Sequence, residues 1–224
     1  MAGWIALHGG GEFQRGSEIG DRRLVVAAGG ADARVIVVPT AAARERPDMA
    51  ARNGVEWFKQ VGAQAAAAMV VDEHSANDSA IVATIEAATL IYLPGGDPVL
   101  LVETLRDSQA WRAIVKAHER GVSLGGASAG AMALGTRMWN PRTGDLIDGL
   151  GLIPIVTLPH FGAERIDRAR ALRPRLDRAM RLFGIAERTS AIWDGSRWNV
   201  WGPGSVIEVT VDDVKNYHSG EYFQ

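Results

Sequence analysis

The chain has 224 residues, a length that fits one domain spanning 1–224, and its 24 Lys and Arg against 26 Asp and Glu leave a formal net charge of −2. That balance excludes bulk electrostatic attraction to nucleic acid or to an anionic membrane. With 47% hydrophobic and 22% charged residues the chain can build a core, and with no cysteine it has no disulfide, thiolate nucleophile or cysteine-held metal, so covalent catalysis must run through oxygen or nitrogen.

Met1–His8 lacks the basic flank and long apolar core of a signal peptide, and no apolar run nears the ~20 residues of a membrane span; a soluble, cytoplasmic protein is the expectation. Trp4–Leu7 opens a series of short runs, apolar on both faces, that continues with Val35–Val38, Ala68–Val71, Leu90–Leu93 and Val122–Leu124. Such runs suit a parallel sheet covered on both sides. The alanines at 65–68 read as the lead-in to the third of them. Between the runs, amphipathic patterns predict helices at Glu18–Ala28, Pro47–Val61, Asp78–Ala88 and Ser108–Arg120, with Asp78 and Ser108 near their starts. The alternation predicts an α/β fold, a three-layer sandwich on a mainly parallel central sheet. Ala191–Trp193, the turn Asp194-Gly195-Ser196 and Arg197–Trp201 then read as a hairpin, and Val206–Val211 as a further strand. Antiparallel strands near the C-terminus should therefore extend the far edge of that sheet.

The sharpest local signal is Gly125-Gly126-Ala127-Ser128-Ala129-Gly130-Ala131, between an apolar strand and a helix-forming run. Strand, tight turn and helix are the setting of a nucleophile elbow, in which flanking glycines relieve crowding and the serine oxygen stands clear of the sheet. Ser128 would also sit at a helix N-terminus, where free N–H groups favour developing negative charge. The plainer reading is a packing turn with a capping serine.

A serine hydroxyl needs a base, worth about 10²–10⁴ in rate. Of the five histidines, His118 lies in a charged helical pattern and reads as solvent-facing; His74 and His218 lie in polar, loop-like stretches; His8 ends the first strand beside a glycine cluster. His160, closing the apolar run Ile153–Pro159, is the best candidate, because a strand's carboxyl end is the edge where Ser128 also stands. For the acid that orients the base, Glu187, Asp145 and Asp148 are rivals that spacing does not separate. Leu93-Pro94-Gly95-Gly96-Asp97-Pro98 ends another buried strand and offers backbone N–H groups to an oxyanion. Gly9-Gly10-Gly11-Glu12 falls short of a dinucleotide fingerprint, since Gln occupies position 14; no Walker loop and no His-Glu-x-x-His occur.

In order, Gly9-Gly10-Gly11-Glu12, Pro94-Gly95-Gly96-Asp97, Gly126-Ala127-Ser128-Ala129-Gly130-Ala131 and Pro159-His160-Phe161 resemble the serine peptidase family of aspartyl dipeptidase (peptidase E) and cyanophycinase. The resemblance spans nearly the whole chain and implies an α/β fold similar to class I glutamine amidotransferases, with serine in place of cysteine. It implies Ser128 as nucleophile, His160 as base, and the N–H groups of Gly96 and Ala129 as oxyanion donors. Glu187 matches the carboxylate that cyanophycinase-like members carry after Pro-His-Phe, with Asp145 as the alternative third member. No metal and no organic cofactor is implied, and a homodimer is the family-level expectation.

The same resemblance implies a small peptide substrate: dipeptides with an N-terminal aspartate for dipeptidase E-like members, a polymer with a β-linked aspartate backbone for cyanophycinase-like ones. Another amidase or esterase activity through the same serine is the alternative. An acidic substrate calls for a cation, preferably a bidentate arginine. Arg165 and Arg168, first in the arginine-rich segment after His160, are the substrate-binding candidates; the others read as solvated helix faces, with Pro174 opening a second helix. The family's longer insert after the histidine is missing, so the specificity pocket should differ.

Overall fold

The structure, a computed structural model, describes residues 2–224. In chain order it runs β1 (Ile5–His8), α1 (Glu18–Ala27), β2 (Arg34–Val37), α2 (Pro47–Val61), β3 (Gln64–Ala67), α3 (Ser79–Glu86), β4 (Leu90–Leu93), α4 (Pro98–Leu105), α5 (Gln109–Glu119) and β5 (Ser123–Ala127). It continues with α6 (Ala129–Ala133), β6 (Arg137–Trp139), β7 (Leu146–Asp148), β8 (Ile155–Leu158), α7 (Ile166–Leu172) and β9 (Arg181–Ile185). The last strands are β10 (Ser190–Trp193), β11 (Trp198–Trp201), β12 (Ser205–Val209), β13 (Val214–His218) and β14 (Tyr222–Phe223).

Eight strands form the central sheet in the order β14-β11-β10-β1-β5-β4-β2-β3. The run from β1 to β3 is parallel, and β10, β11 and β14 are antiparallel. Leu24 and Val25 of α1 and Phe58 and Val61 of α2 pack on one face, with Tyr92 of β4. Ile85 of α3, Leu101 of α4, Ile114 of α5 and Ala131 of α6 cover the other. Both faces are buried, which is why the parallel strands read as unbroken apolar runs.

The third predicted strand is displaced. The alanine run is itself β3, in register with β2 from Arg34↔Gln64 to Val37↔Ala67, whereas Val70 and Val71 lie beyond the sheet. Edge position and pairing to β2 override the low strand propensity of alanine. Helix α4 was not expected, although Asp97 accepts the N–H groups of Val99 and Leu100 and Pro98 occupies the first turn, both start signals.

The C-terminal part differs most from expectation. The 190–201 hairpin does join the central sheet, but Ser205–Val209 does not: β12 lies in a separate sheet ordered β13-β12-β9-β8. One face of that sheet, with Phe183, Ile185 and Val206, packs into the main core; the other, with Leu182, Ile207 and Val209, packs under α7. Strand β12 is thus buried on both sides, a position its sequence does not distinguish from a sheet edge. Pro174 opens no second helix; it lies in a single 3-10 turn, 173–175, that closes α7. His218 ends a strand, and His118 is buried against the Val122 carbonyl (Nδ1 to O, 3.1 Å) instead of facing solvent.

Beneath the first loop, His8 and Asp21 are fully buried with Nε2 and Oδ1 3.6 Å apart. Burial lowers the His8 pKa to about 4 and raises that of Asp21 to about 7. Two buried ions at this separation cost more in desolvation than their attraction returns, so the neutral pair is favoured. The lowered His8 alone makes stability fall as pH drops from about 6.5 through 4; the raised Asp21 alone makes it fall as pH climbs from about 4 through 7. Between those limits folded and unfolded chains both hold one proton on the pair, and the two slopes cancel. The pair should therefore add no slope to the denaturation midpoints from about pH 4.5 to 6, where the burial-lowered His118 makes stability rise with pH, while His8→Gln, which leaves Asp21 uncompensated, should lose stability relative to the unaltered protein as pH climbs over that range; equal slopes in the two proteins would contradict the neutral-pair assignment.

Candidate active site

Strand β5 ends at Ala127, and Ser128 turns the chain into α6 with φ 47° and ψ −106°. That is an unfavourable conformation for a residue with a side chain, costing about 1–3 kcal/mol. The bonds Ser128 N–H to His8 O (3.0 Å) and Met132 N–H to Ser128 O (3.0 Å) hold it. The flanking glycines are sterically required: a Cβ on Gly126 would lie 2.6 Å from the Gly130 carbonyl carbon, and one on Gly130 would lie 2.0 Å from Leu93 O.

His160 follows β8, which belongs to the second sheet and not, as expected, to the one that carries Ser128. Its own φ is 51°, and its N–H donates to Gly9 O at 2.6 Å. From there the imidazole reaches across, with Nε2 2.8 Å from Ser128 Oγ and Nδ1 3.0 Å from Glu187 Oε1. The network assigns the tautomer: Nδ1–H donates to the carboxylate and Nε2 accepts from the hydroxyl. Glu187 lies in the turn between β9 and β10, where Arg188 N–H donates to Gly10 O at 2.7 Å. The side chains of His160 and Glu187 are 39% and 57% exposed, so water screens this pair and its value lies in orientation more than in attraction. Asp145 sits at the turn of the β6–β7 ribbon, its carbonyl accepting Asn140 N–H at 2.8 Å, and Asp148 faces Arg137 at 3.4 Å. Neither approaches the imidazole.

The 94–97 loop passes over the serine, since a Cβ on Gly95 would come 3.4 Å from Ser128 Cβ. Gly96 has φ 140° and packs so closely on Ala41 that a Cβ would lie 2.2 Å from its carbonyl oxygen. Ala129 is the first residue of α6, where an N–H has no acceptor within the helix. Gly96, Ser128, Ala129 and His160 all line one cleft of about 360 Å³, and so do Arg165 and Arg168. Arg165 donates to Pro159 O (3.2 Å), and the Arg168 guanidinium lies 4.2 Å over the Trp139 ring. Of the later arginines, Arg173 is buried against the Leu176 carbonyl, and Arg181 pairs with Glu208 at 2.7 Å.

Trp139 and Pro141, from the β6–β7 ribbon, form a wall of the cleft that was not foreseen. The ribbon is pinned to the 94–97 loop by Arg142, which hydrogen-bonds Asp97. Trp139-Asn140-Pro141 followed by Gly144 was the one turn signal available for it. Among the described residues no group of three or more His, Asp and Glu stands together as a metal site, and no helix is long and apolar enough to cross a membrane.

Residues 5–200 match the profile described as peptidase family S51. The chain is 29% identical over 208 residues to a cyanophycinase of Trichormus variabilis, covering 87% of this chain and 68% of the relative. It is 31% identical over 195 residues to a cyanophycinase of Geminocystis herdmanii, covering 81% and 71% respectively. Among solved structures, a peptidase from an acI-B1 Actinobacterium superposes with TM-score 0.87 at 28% identity, covering 100% of this chain and 97% of that one. A putative peptidase E protein of Listeria monocytogenes, at 15% identity and TM-score 0.66 over 91% of this chain and 100% of that one, shares the fold.

The distances around His160 separate the two rival acids by experiment. Glu187→Gln should lower kcat towards a chromogenic aryl ester by about two orders of magnitude, through loss of the Nδ1–H acceptor. Asp145→Asn should leave it within about twofold, as for an ordinary surface change. The reverse ranking would return the acid to Asp145.

Proposed function

The chain belongs to peptidase family S51, and on that footing we propose that it is a serine peptidase of short acidic peptides, working through Ser128, His160 and Glu187. The observation that carries this reading is the continuous contact from Ser128 Oγ through the imidazole to Glu187, at 2.8 and 3.0 Å. Ser128 Oγ attacks the scissile carbonyl while Nε2 of His160 takes its proton. The imidazolium so formed keeps its Nδ1–H on Glu187, which holds the ring in the attacking orientation. The carbonyl oxygen becomes an oxyanion and takes the N–H groups of Gly96 and Ala129; losing one such donor typically costs about 3–4 kcal/mol of barrier. His160 then gives its proton to the leaving amine, which departs and leaves an acyl group on Ser128. Water, deprotonated by the same nitrogen, attacks that ester; the C–Oγ bond breaks, the imidazolium returns the proton to Ser128 Oγ, and the released acid ionises to a carboxylate.

For the substrate, the proposal is a dipeptide or short peptide with an N-terminal aspartate. Its support is the pair Arg165 and Arg168 on the wall of the cleft that holds Ser128, two cations suited to a carboxylate. A volume of about 360 Å³ lies at the small end of ligand pockets and suits a substrate of a few residues. A second reading, cleavage beside β-linked aspartates, is favoured by the cyanophycinase relatives at 29–31% identity. Both readings place a carboxylate near the arginines and differ in the linkage cleaved.

A fluorophosphonate should add to Ser128, and mass spectrometry should find no adduct in His160→Ala; labelling elsewhere would end the reading. In a peptide panel, α-Asp-X should outpace Leu-X by at least about tenfold, and Arg165→Ala or Arg168→Ala should raise KM for the acidic peptide roughly tenfold while sparing Leu-X. Faster turnover of β-Asp-X would select the second reading, and indifference to the acid would remove the arginines from specificity.

A further inference from the structure

The Gly9-Gly10-Gly11-Glu12 cluster binds no dinucleotide by its sequence and takes no chemical step in the mechanism above. Its position nevertheless touches both halves of the site. Gly9 O accepts the His160 N–H at 2.6 Å, and Gly10 O accepts the Arg188 N–H at 2.7 Å, beside Glu187. Gly10 also passes so close under the imidazole that a Cβ there would stand 2.2 Å from His160 Cε1. On the other side, Glu12 Oε1 accepts the Gly95 N–H at 2.7 Å, a bond spanning 83 residues of sequence. Glu12 is not among the residues that line the cleft, and the hydrogen bond of its carboxylate goes to the loop backbone.

We propose that Glu12 is a positioning residue of the oxyanion loop: by fixing the Pro94–Gly95 peptide it keeps the next N–H, that of Gly96, directed at the oxyanion. Gly96 has φ 140°, in a region open to glycine, and a glycine pair can rotate the peptide plane between its two members at little cost. Such a rotation would replace the donor by the Gly95 carbonyl, which repels an oxyanion. Downstream the loop is fixed by Asp97, whose N–H donates to Ala41 O at 2.8 Å and whose carboxylate caps α4. Upstream, Glu12 is the matching anchor. A charged acceptor makes a hydrogen bond roughly twice as strong as a neutral one. Glu12 is itself held by its neighbour Phe13, whose ring packs 6.2 Å from Phe58 and 5.6 Å from Tyr92 between centroids. One short loop thereby sets the distance between base and oxyanion donor.

This inference rests on the serine peptidase reading, and one set of measurements separates the two. Fluorophosphonate labelling and peptide turnover are followed in the unaltered protein, Glu12→Ala and Glu12→Gln, with Glu12→Met as a volume-matched substitute if alanine impairs folding. Expected are a fall in kcat of roughly 10–100-fold in Glu12→Ala with KM nearly unchanged, and a similar slowing of phosphonylation, because both transition states use the same donors. Glu12→Gln, which keeps an acceptor oxygen, should recover most of the loss. Unchanged kcat in Glu12→Ala, a rise in KM alone, or a glutamine variant as slow as alanine would each overturn the role of Glu12. Absence of labelling at Ser128 in the unaltered protein would instead sink the underlying reading.

Discussion

A single 2.8 Å contact between Ser128 Oγ and His160 Nε2 bridges two sheets. The serine stands at the carboxyl end of a central strand of the eight-stranded sheet, the histidine after the first strand of the four-stranded one. Neither sheet alone holds a nucleophile and its base. The placement of the second sheet against the first is therefore a condition of the chemistry, and the core that joins them, with Phe183, Ile185 and Val206, serves the site as much as stability. A displacement of 1 Å between reacting groups can cost about a hundredfold in rate, so such a core must be packed to a single geometry.

Strand β1 acts as the keel of this arrangement. It lies between β5, which carries the serine elbow, and β10, which follows the Glu187 turn. His8 O receives the Ser128 N–H, and one residue later Gly9 O receives the His160 N–H. Consecutive backbone carbonyls thus address the two reacting residues, so their spacing is fixed by covalent geometry. The neutral His8–Asp21 pair beneath it places no net charge close to the site between about pH 4 and 6.5. Ser128 and His160, two of the five non-glycine residues with positive φ among the described residues, are the ones these carbonyls hold.

Much of this was legible from residues alone, for identifiable reasons. Strands buried on both faces leave unbroken apolar runs, so Leu90–Leu93 was read to the residue; Pro47–Val61, with proline at its start and Gly62 after its end, was equally plain. The serine elbow was readable because steric necessity dictates its glycines. The separate sheet was not, because pairing partners are long-range facts and β12 would have the same pattern at the edge of the central sheet as it has inside the second one. The β3 displacement has the same origin. The choice among Glu187, Asp145 and Asp148 needed distances, since each lies in a polar stretch. Glu12 carries no local signal of its role: its glycine neighbours look like a phosphate-binding turn, and nothing near it in sequence announces a bond to Gly95, 83 residues away.

The most direct test is a crystal structure of the protein inactivated by a phosphonate. Phosphorus should be bonded to Ser128 Oγ, its terminal oxygen within hydrogen-bonding distance of the N–H groups of Gly96 and Ala129, and His160 should remain between the adduct and Glu187. A terminal oxygen turned away from both N–H groups, or an imidazole with no contact to the adduct, would contradict the account.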